Sequence, residues 1–210
     1  PFHRGNRYFF FKNDGLQNQA VVYMQEGRNG TPEVLFDPNA LSPDGTTQLA
    51  VFAVSPDGSH IVGYAGSDPG GYEGFVWSES TGMVGVGRLP GAFNSRLTGV
   101  STGGRVAVGY SGGIGEFNVQ RAVRRTPDTG LVDLGILPGG DPRSSSLAWG
   151  ISADGGVIVG SSPASDGLYE AAFRWTESTG MVALSRFPGN FNRDTAALSI
   201  SDDGAWICGY

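Results

Sequence analysis

Cysteine is nearly absent from this sequence, since Cys208 is the single one among 210 residues. An intrachain disulfide, or a zinc site built on paired thiolates, needs more than one cysteine, so the sequence excludes both. Long apolar runs are also missing, and no stretch approaches the roughly 20 residues that a membrane helix requires. We also find no signal peptide. We therefore expect neither a disulfide framework nor a membrane-spanning helix.

Positive charge is scarce as well, with 14 Lys and Arg against 20 Asp and Glu and a formal charge of −6. Nucleic acids and anionic membranes are bound through a positive field, so we predict neither as a partner. The local exception is the group Arg121, Arg124 and Arg125. Alternate side chains of a strand point to opposite faces, and we interpret these arginines as facing solvent.

Amphipathic helical spacing is not sustained over about ten residues anywhere in the chain. Glycine is abundant instead, with 35 of 210 residues, and it falls at turns and inside strand-like runs. Sheets use glycine at tight corners and where backbones approach closely. A hydrophobic content of 39% is enough for a core and argues against wholesale disorder. The composition therefore predicts an all-β protein.

One sequence pattern occurs three times, at residues 75–84, 123–132 and 173–182. Each copy is an alternating apolar and polar run, a polar turn ending in Gly, and a second short apolar run, which is typical of a β-hairpin. The copies end alike, in Leu-Pro-Gly or Phe-Pro-Gly at residues 89–91, 137–139 and 187–189. A repeat on this scale favours one domain over residues 1–210 rather than two small ones.

A second pattern, a polar turn followed by a short apolar strand that contains Gly, also recurs. Its aligned glycines are 46 to 51 residues apart, a period close to that of propeller blades, and they are Gly63, Gly109, Gly160 and Gly209. Each period contains four strands, which is the number in a propeller blade. We therefore predict a β-propeller of four-stranded blades.

The two ends of the chain differ from the complete repeats. The opening segment follows the same order, with strands predicted at Arg7–Lys12, residues 20–25 and Glu33–Phe36, but residues 1–4 supply at most a stub of an innermost strand. The last unit stops halfway, at residues 198–210. We therefore predict about five blade positions with an incomplete last blade, which we place next to the first blade, where Ile200, Trp206 and Ile207 would be buried. Because the four aromatic residues 8–11 do not alternate with polar ones, we also expect strand Arg7–Lys12 to be covered on both faces.

Four motifs in the first part of the chain are Arg4-Gly-Asn-Arg-Tyr-Phe-Phe-Phe11, Gly15-Leu-Gln-Asn-Gln19, Leu35-Phe-Asp-Pro-Asn39 and Ala53-Val-Ser-Pro-Asp-Gly58. Through these motifs, residues 1 to about 62 resemble an early blade of the prolyl oligopeptidase propeller. The resemblance implies a propeller that filters access to an active site. It also implies that the catalytic serine, aspartate and histidine lie on a separate α/β-hydrolase domain, which no stretch of this chain could form.

The rest of the chain carries a second set of motifs, which are Phe173-Arg-Trp-Thr176, Gly180-Met-Val182, Leu137-Pro-Gly-Gly140 and the strand pair at residues 151–160. Through them, residues 63–210, after a crossover near residue 60, resemble the bacterial HAF repeat. That family is predicted to form propeller blades on extracellular proteins, so the resemblance implies a secreted bacterial protein.

The two resemblances meet at a Ser-Pro-Asp-Gly turn that both kinds of blade share. A junction between unrelated blades at this turn favours a recombinant chain. Whether such a chain was made in a laboratory is left open.

Two serines match the Gly-x-Ser-x-Gly pattern of a hydrolase nucleophile, Ser101 and Ser111. That elbow requires a strand running into a helix and a histidine later in the chain. The only histidines, His3 and His60, precede both serines. We interpret the matches as chance in a glycine-rich chain, and we predict no enzyme activity and no catalytic residue.

Metal and cofactor sites are also not predicted. Asp57, Asp154 and Asp203 occupy equivalent turns, where a carboxylate accepts backbone N–H groups. Calcium binding is the alternative, and the pair Asp202 and Asp203 is the least unfavourable place for it. Calcium requires several oxygen ligands, however, and each turn offers about one carboxylate. His60 begins a strand and is interpreted as a solvated residue.

The four tryptophans fall on predicted strands. Core packing between neighbouring blades is the expectation for repeat-equivalent aromatics such as Trp77 and Trp175, and a sugar-stacking platform is the alternative. The other two are Trp149 and Trp206.

Two classes of function are consistent with the sequence. We favour a non-catalytic scaffold or binding module, because a propeller has a concave channel mouth and no catalytic constellation is present. The alternative is the substrate-gating propeller fragment of a prolyl oligopeptidase-like serine peptidase. Because the last blade is incomplete, we also predict self-association through its free strand into a homo-oligomer, unless the N-terminal segment covers that strand.

Overall fold

The computed structural model describes residues 2–40, 47–67, 70–113, 119–165, 169–185 and 194–210. In these ranges the chain forms strands and two short 3₁₀ turns at Pro38–Ala40 and Thr102–Gly104. The third Pro-Gly copy, at residues 187–189, lies outside the described residues. No helix in the described ranges is long and apolar enough to cross a membrane.

The strands group into antiparallel sheets whose spatial order follows the chain. The first sheet contains β1 (Phe2–Arg4), β2 (Arg7–Lys12), β3 (Val21–Glu26) and β4 (Glu33–Phe36), and the second contains β5 (Gln48–Val54), β6 (His60–Ser67), β7 (Gly71–Ser78) and β8 (Gly82–Gly85). The third contains β9 (Asn94–Val100), β10 (Ala107–Gly112), β11 (Gln120–Thr126) and β12 (Gly130–Asp133). The fourth contains β13 (Leu147–Ile151), β14 (Ile158–Pro163), β15 (Glu170–Thr176) and β16 (Gly180–Ala183), and the fifth contains β17 (Ala197–Ile200) and β18 (Ile207–Gly209).

This arrangement confirms the predicted four-stranded blades, and the fifth position holds two strands among the described residues. The strand predictions at Arg7–Lys12 and Glu33–Phe36 are confirmed, and the one at residues 20–25 is shifted by one residue. The chain is all-β with a propeller architecture.

The repeated glycines mark a bulge in the inner strand of the second to fifth sheets. In the fourth sheet Gly160 pairs with Phe173, and the register of β13 shifts between Ala148 and Gly150. A side chain at Gly160 would overlap the Leu147 carbonyl oxygen and come within 2.7 Å of the Phe173 ring. The glycine therefore allows both the bulge and the close packing of the aromatic ring above it.

Neighbouring sheets pack face to face in chain order. Apolar clusters join the first sheet to the second around Phe9 and Phe75, and the third to the fourth around Val108 and Phe173. Burial of these large side chains supplies most of the favourable free energy of folding. Extensive strand contacts also join the second sheet to the third, the third to the fourth and the fourth to the fifth.

Two expectations about the ends of the chain are wrong. The aromatic run of β2 is fully covered on one face only, because Phe9 is buried at 1% exposure whereas Tyr8 and Phe10 on the opposite face are half-buried. We also expected the fifth position to bury Trp206 beside the first blade, but Trp206 is 78% exposed. Both outcomes have one physical reason, since among the described residues the first sheet shares its apolar cluster with the second sheet alone and the last sheet packs extensively on the fourth sheet alone.

Candidate functional site

The turns between the first and second strands of the blades form one end of the molecule. Each turn begins with a serine whose Oγ accepts the backbone N–H five residues later, at 2.9–3.0 Å. These hydroxyl oxygens thus pair with a backbone N–H group of the tight turn in place of a backbone carbonyl. The serines are Ser55, Ser101, Ser152 and Ser201.

Aspartates in these turns are held by short hydrogen bonds. Ser152 Oγ donates to Asp154 Oδ1 at 2.5 Å, and the Gly156 N–H donates to the same oxygen at 2.9 Å. These two bonds hold the pKa of Asp154 below its ordinary value of 3.8. The pKa of Asp203 is lowered in the same way, by the Ser201 hydroxyl and the Ala205 N–H.

Asp57 differs because it also contacts the next blade. Partial burial alone would raise its pKa, but hydrogen bonds from Ser55, from Ser59 and from the Gly103 N–H outweigh burial and lower it. The Gly103 bond, 3.1 Å to Asp57 Oδ2, joins the second blade to the third. Later blades are joined by backbone bonds, such as that from Thr102 N–H to the Ala153 oxygen at 2.9 Å.

The sequence explains why the second blade uses the Asp57 side chain where later blades use a backbone bond. The second blade has Pro56 where the later blades have Thr102, Ala153 and Asp202, and proline has no N–H to donate. The Asp57 carboxylate therefore serves as the connector between the turns. In the described ranges, no group of three or more metal-ligating side chains lies together.

The two candidate nucleophiles both serve the backbone. Ser101 Oγ accepts the Val106 N–H at 2.9 Å. Ser111 Oγ accepts the Leu89 N–H at 3.0 Å and donates to the Asn94 carbonyl at 3.0 Å. Both serines are buried, so this geometry is that of structural hydroxyls.

His60 is half-buried rather than solvated, since its ring lies against Gly104 of the next blade and its Nδ1 is 2.8 Å from Ser59 Oγ. The arginines of β11 are half-buried as well, and the expectation that they face solvent is wrong. Arg121 donates to the Ser144 carbonyl, and Arg124 lies over Trp175 with its buried Nε unpaired among the described residues. The neighbouring blade covers this face.

The tryptophans divide according to their neighbours. Trp77 packs edge-on against Phe36 of the first sheet at 5.6 Å, and Trp175 borders the core between the third and fourth sheets. Core packing of these two repeat-equivalent residues is therefore confirmed. Trp149 contacts Tyr110, whereas Trp206 is exposed.

An aromatic and cationic cluster lies on the inner strands of the second and third blades. The Arg96 guanidinium lies 4.5 Å from the Tyr64 ring, 5.3 Å from Tyr72 and 6.0 Å from Tyr110, and Trp149 adjoins Tyr110. Our sequence analysis missed this cluster, which we name the Arg96 cluster. The available signal was that Tyr64 and Tyr110 follow aligned glycines.

Two cavities occupy equivalent positions beneath the Leu-Pro-Gly loops. The one in the fourth blade measures about 400 Å³ and is lined by apolar residues that include Leu137 and Met181. The one in the third blade measures about 280 Å³ and includes Arg121 and Asp133. Equivalent pockets of different polarity show that the repeats share a framework but differ in chemistry.

Sequence comparison connects part of the chain to known proteins. Residues 1–72 match the family described as the prolyl oligopeptidase N-terminal β-propeller domain. The prolyl endopeptidase of Elizabethkingia miricola is 43% identical over 70 residues, which cover 33% of this chain and 10% of that protein. A dual-function macrocyclase-peptidase of Galerina marginata is 34% identical over 83 residues, or 35% of this chain and 11% of that protein. The chain thus spans about a tenth of the length of these relatives.

Solved structures share the fold over most of the chain. A structure from a study of two prolyl endopeptidases aligns with a TM-score of 0.65 and 17% identity, covering 90% of this chain and 29% of that one. TolB from Acinetobacter baumannii aligns with a TM-score of 0.58 and 16% identity, and the alignment covers 96% of this chain and 45% of that one. At these identities the likeness establishes the propeller fold alone. The N-terminal segment matches the prolyl oligopeptidase propeller, and the match covers no peptidase domain.

Proposed function

We propose that the chain is a non-catalytic propeller module that binds a ligand on its inner strands. The observation that carries the proposal is the Arg96 cluster, in which a half-buried guanidinium is surrounded by three tyrosine rings. Within the described ranges both ion pairs belong to Arg7, and Arg96 has no carboxylate within 4.0 Å.

The chemistry of this cluster suits a ligand that combines a carboxylate with a compact apolar ring. Arg96 offers planar paired donors, and its weak bond to the Tyr110 hydroxyl, 3.5 Å long, leaves most of them available. Tyrosine rings add apolar contact area with little loss of side-chain freedom.

Calorimetric titration with N-acetylglycyl-proline and with its C-terminal amide tests this proposal. We expect the free acid to bind, the amide to bind at least about tenfold more weakly, and Arg96→Ala to abolish the difference. Arg125→Ala, on the outer strand β11, serves as the control. Equal heats for acid and amide would contradict the proposal.

A second candidate is the substrate-gating propeller of a prolyl oligopeptidase-like serine peptidase. The family match over residues 1–72 favours it. Adding the chain to a separately prepared prolyl oligopeptidase catalytic domain separates the two candidates. A gating propeller should slow the cleavage of long proline-containing peptides more than that of short ones, whereas a binding module should change neither rate.

We also propose that the chain joins two sources near residue 62, with HAF-type repeats over residues 63–210. The support is that the family match ends at residue 72, whereas the regular repeats continue to residue 210. A single domain over residues 1–210 is part of this proposal, and it is supported by the second sheet, which contains β5 from one part and β7 from the other. Uninterrupted oligopeptidase blades on both sides of residue 62 in the parent gene would contradict this origin.

A further inference from the structure

The turn that joins β3 to β4 contains the single Asn-Gly pair of the sequence, Asn29-Gly30. This turn spans residues 27–32, between Glu26 at the end of β3 and Glu33 at the start of β4. Asn29 is exposed, and its side-chain amide forms no hydrogen bond with another described residue. The amide group can therefore change rotamer without breaking a hydrogen bond.

Hydrogen bonds hold the first half of the turn and stop short of this pair. The Gln25 side-chain amide donates to the carbonyl oxygens of Gly27 at 2.9 Å and Arg28 at 3.1 Å. The Gly27 N–H in turn donates to the Asn6 carbonyl oxygen at 2.7 Å. Among the described residues the N–H of Gly30 has no acceptor. The Gly30 nitrogen is therefore not held in place by a hydrogen bond.

The fold also requires glycine at this position. A side chain at residue 30 would overlap the Glu26 carbonyl oxygen, so the turn accepts no larger residue without rearrangement. Glycine has no Cβ to shield its own nitrogen, and it gives the backbone more conformational freedom than any other residue. The Gly30 nitrogen can therefore approach the side chain that precedes it.

We propose that Asn29 is a site of spontaneous deamidation. The Gly30 backbone nitrogen attacks the side-chain carbonyl carbon of Asn29, a C–N bond forms, and the side-chain nitrogen leaves as ammonia with the proton that Gly30 gives up. The product is a cyclic imide, which water opens at either carbonyl carbon. One opening yields aspartate, and the other yields isoaspartate, in which the main chain runs through the former side chain. Water is the only co-reactant.

Asn39 provides a contrast within the same blade. Its Oδ1 accepts the Gln19 N–H at 3.0 Å, and its Nδ2 donates to the Gln19 carbonyl at 3.0 Å and to Asp37 Oδ1 at 2.9 Å. The next residue is Ala40, whose Cβ hinders attack by its nitrogen. Rotation of the Asn39 amide into the reactive geometry would break all three hydrogen bonds. We therefore expect Asn39 to react far more slowly than Asn29.

The reaction changes the charge beside a polar cavity. This cavity measures about 430 Å³, and Gly30 forms part of its wall together with Glu26, Glu33 and Glu79. The Arg7 guanidinium pairs there with Glu26 at 3.5 Å and with Glu79 at 3.4 Å. Deamidation adds one negative charge next to these three carboxylates, so the product should be retained longer than the parent chain on an anion-exchange column.

The test incubates the folded 210-residue chain in H₂¹⁸O at mildly alkaline pH, because water that opens the imide leaves its oxygen in the product. Cleavage after glutamate then releases residues 27–33, which contain Asn29, and residues 34–73, which contain Asn39. Mass spectrometry should find ¹⁸O in the first peptide at least roughly tenfold sooner than in the second. A protein isoaspartate methyltransferase should label the same first peptide.

Variants and a free peptide complete the test. Asn29→Gln should abolish the late-eluting form, since glutamine would have to close a larger ring, whereas Asn39→Gln should leave its rate of formation unchanged. A synthetic peptide of residues 27–33 serves as the positive control. Labelling of this free peptide without labelling of the folded chain would show that the fold protects the pair and would overturn the proposal. Equal rates at Asn29 and Asn39, or a late-eluting form that persists in Asn29→Gln, would overturn it as well.

Discussion

The fourth and fifth sheets begin alike and end differently. Both have an inner strand with a bulge, a turn that starts with serine and contains aspartate, and a second strand with a repeat glycine. The fourth sheet then adds β15 and β16, and its β14 is buried throughout. The fifth has no such strands among the described residues, and Trp206 is exposed. Local sequence is thus sufficient to form the hairpin of the first two strands, whereas burial of that hairpin depends on the hairpin formed by the third and fourth strands.

The largest expected effect comes from adding a side chain to the repeat glycines. Gly160→Val would overlap the Leu147 carbonyl and press on the Phe173 ring, and we expect it to destabilise the protein by more than about 4 kcal/mol. Gly209→Val would overlap the Ala196 carbonyl but meets no ring, so its effect should stay in the fifth sheet. Urea unfolding of both variants measures the difference, and equal losses would contradict the comparison.

Removing an aromatic side chain should also affect the fourth sheet more than the fifth. Phe173 is fully buried between the third and fourth sheets, so Phe173→Ala should cost about 3–5 kcal/mol through lost contacts and a cavity. Trp206→Ala removes an exposed ring and should change stability by less than about 0.5 kcal/mol. A comparable loss in both variants by thermal unfolding would show that Trp206 is covered in solution.

Removing residues 205–210 deletes β18 and uncovers Val159 and Ala172 of the fourth sheet. We expect a loss of about 1–2 kcal/mol from the exposed apolar surface, together with loss of any oligomer formed through this strand. Light scattering and thermal unfolding of the full and shortened chains measure both effects. Two equally heat-stable monomers would show that the strand neither supports the fold nor joins chains.

The smallest effect concerns pH. The folded-state pKa of Asp154 is lowered, so its stabilising contribution is present above the ordinary value of 3.8 and is lost as pH falls through the lower folded pKa. We expect Asp154→Asn to reduce the free energy of unfolding at pH 7 by less than about 1 kcal/mol, because the group is exposed. The same variant should make the free energy of unfolding less dependent on pH in the acid range. Asp203→Asn, in the fifth sheet, should leave global unfolding unchanged. Urea unfolding of both variants between neutral and acid pH measures these effects. Equal losses of stability in the two variants would contradict the prediction.

Much of the fold was predictable because the repeat is explicit. Alternating apolar residues and turn glycines indicate strand pairs, and the period of Gly63, Gly109, Gly160 and Gly209 indicates blades. The Arg96 cluster was not predictable in this way. Arg96 meets Tyr64 and Tyr72 across two blades, and no local pattern relates residues so far apart in sequence.

The sequence by itself determined the strand order, the half-finished last unit and the role of the turn aspartates. These features depend on residues close together in the chain, where backbone geometry and hydrogen bonding are local. Tertiary structure alone decided which faces are covered. It placed His60 against Gly104, covered the arginines of β11 with the fourth blade and left Trp206 exposed. Burial depends on the neighbouring sheet, and whether a neighbour is present cannot be inferred from the pattern of a single strand.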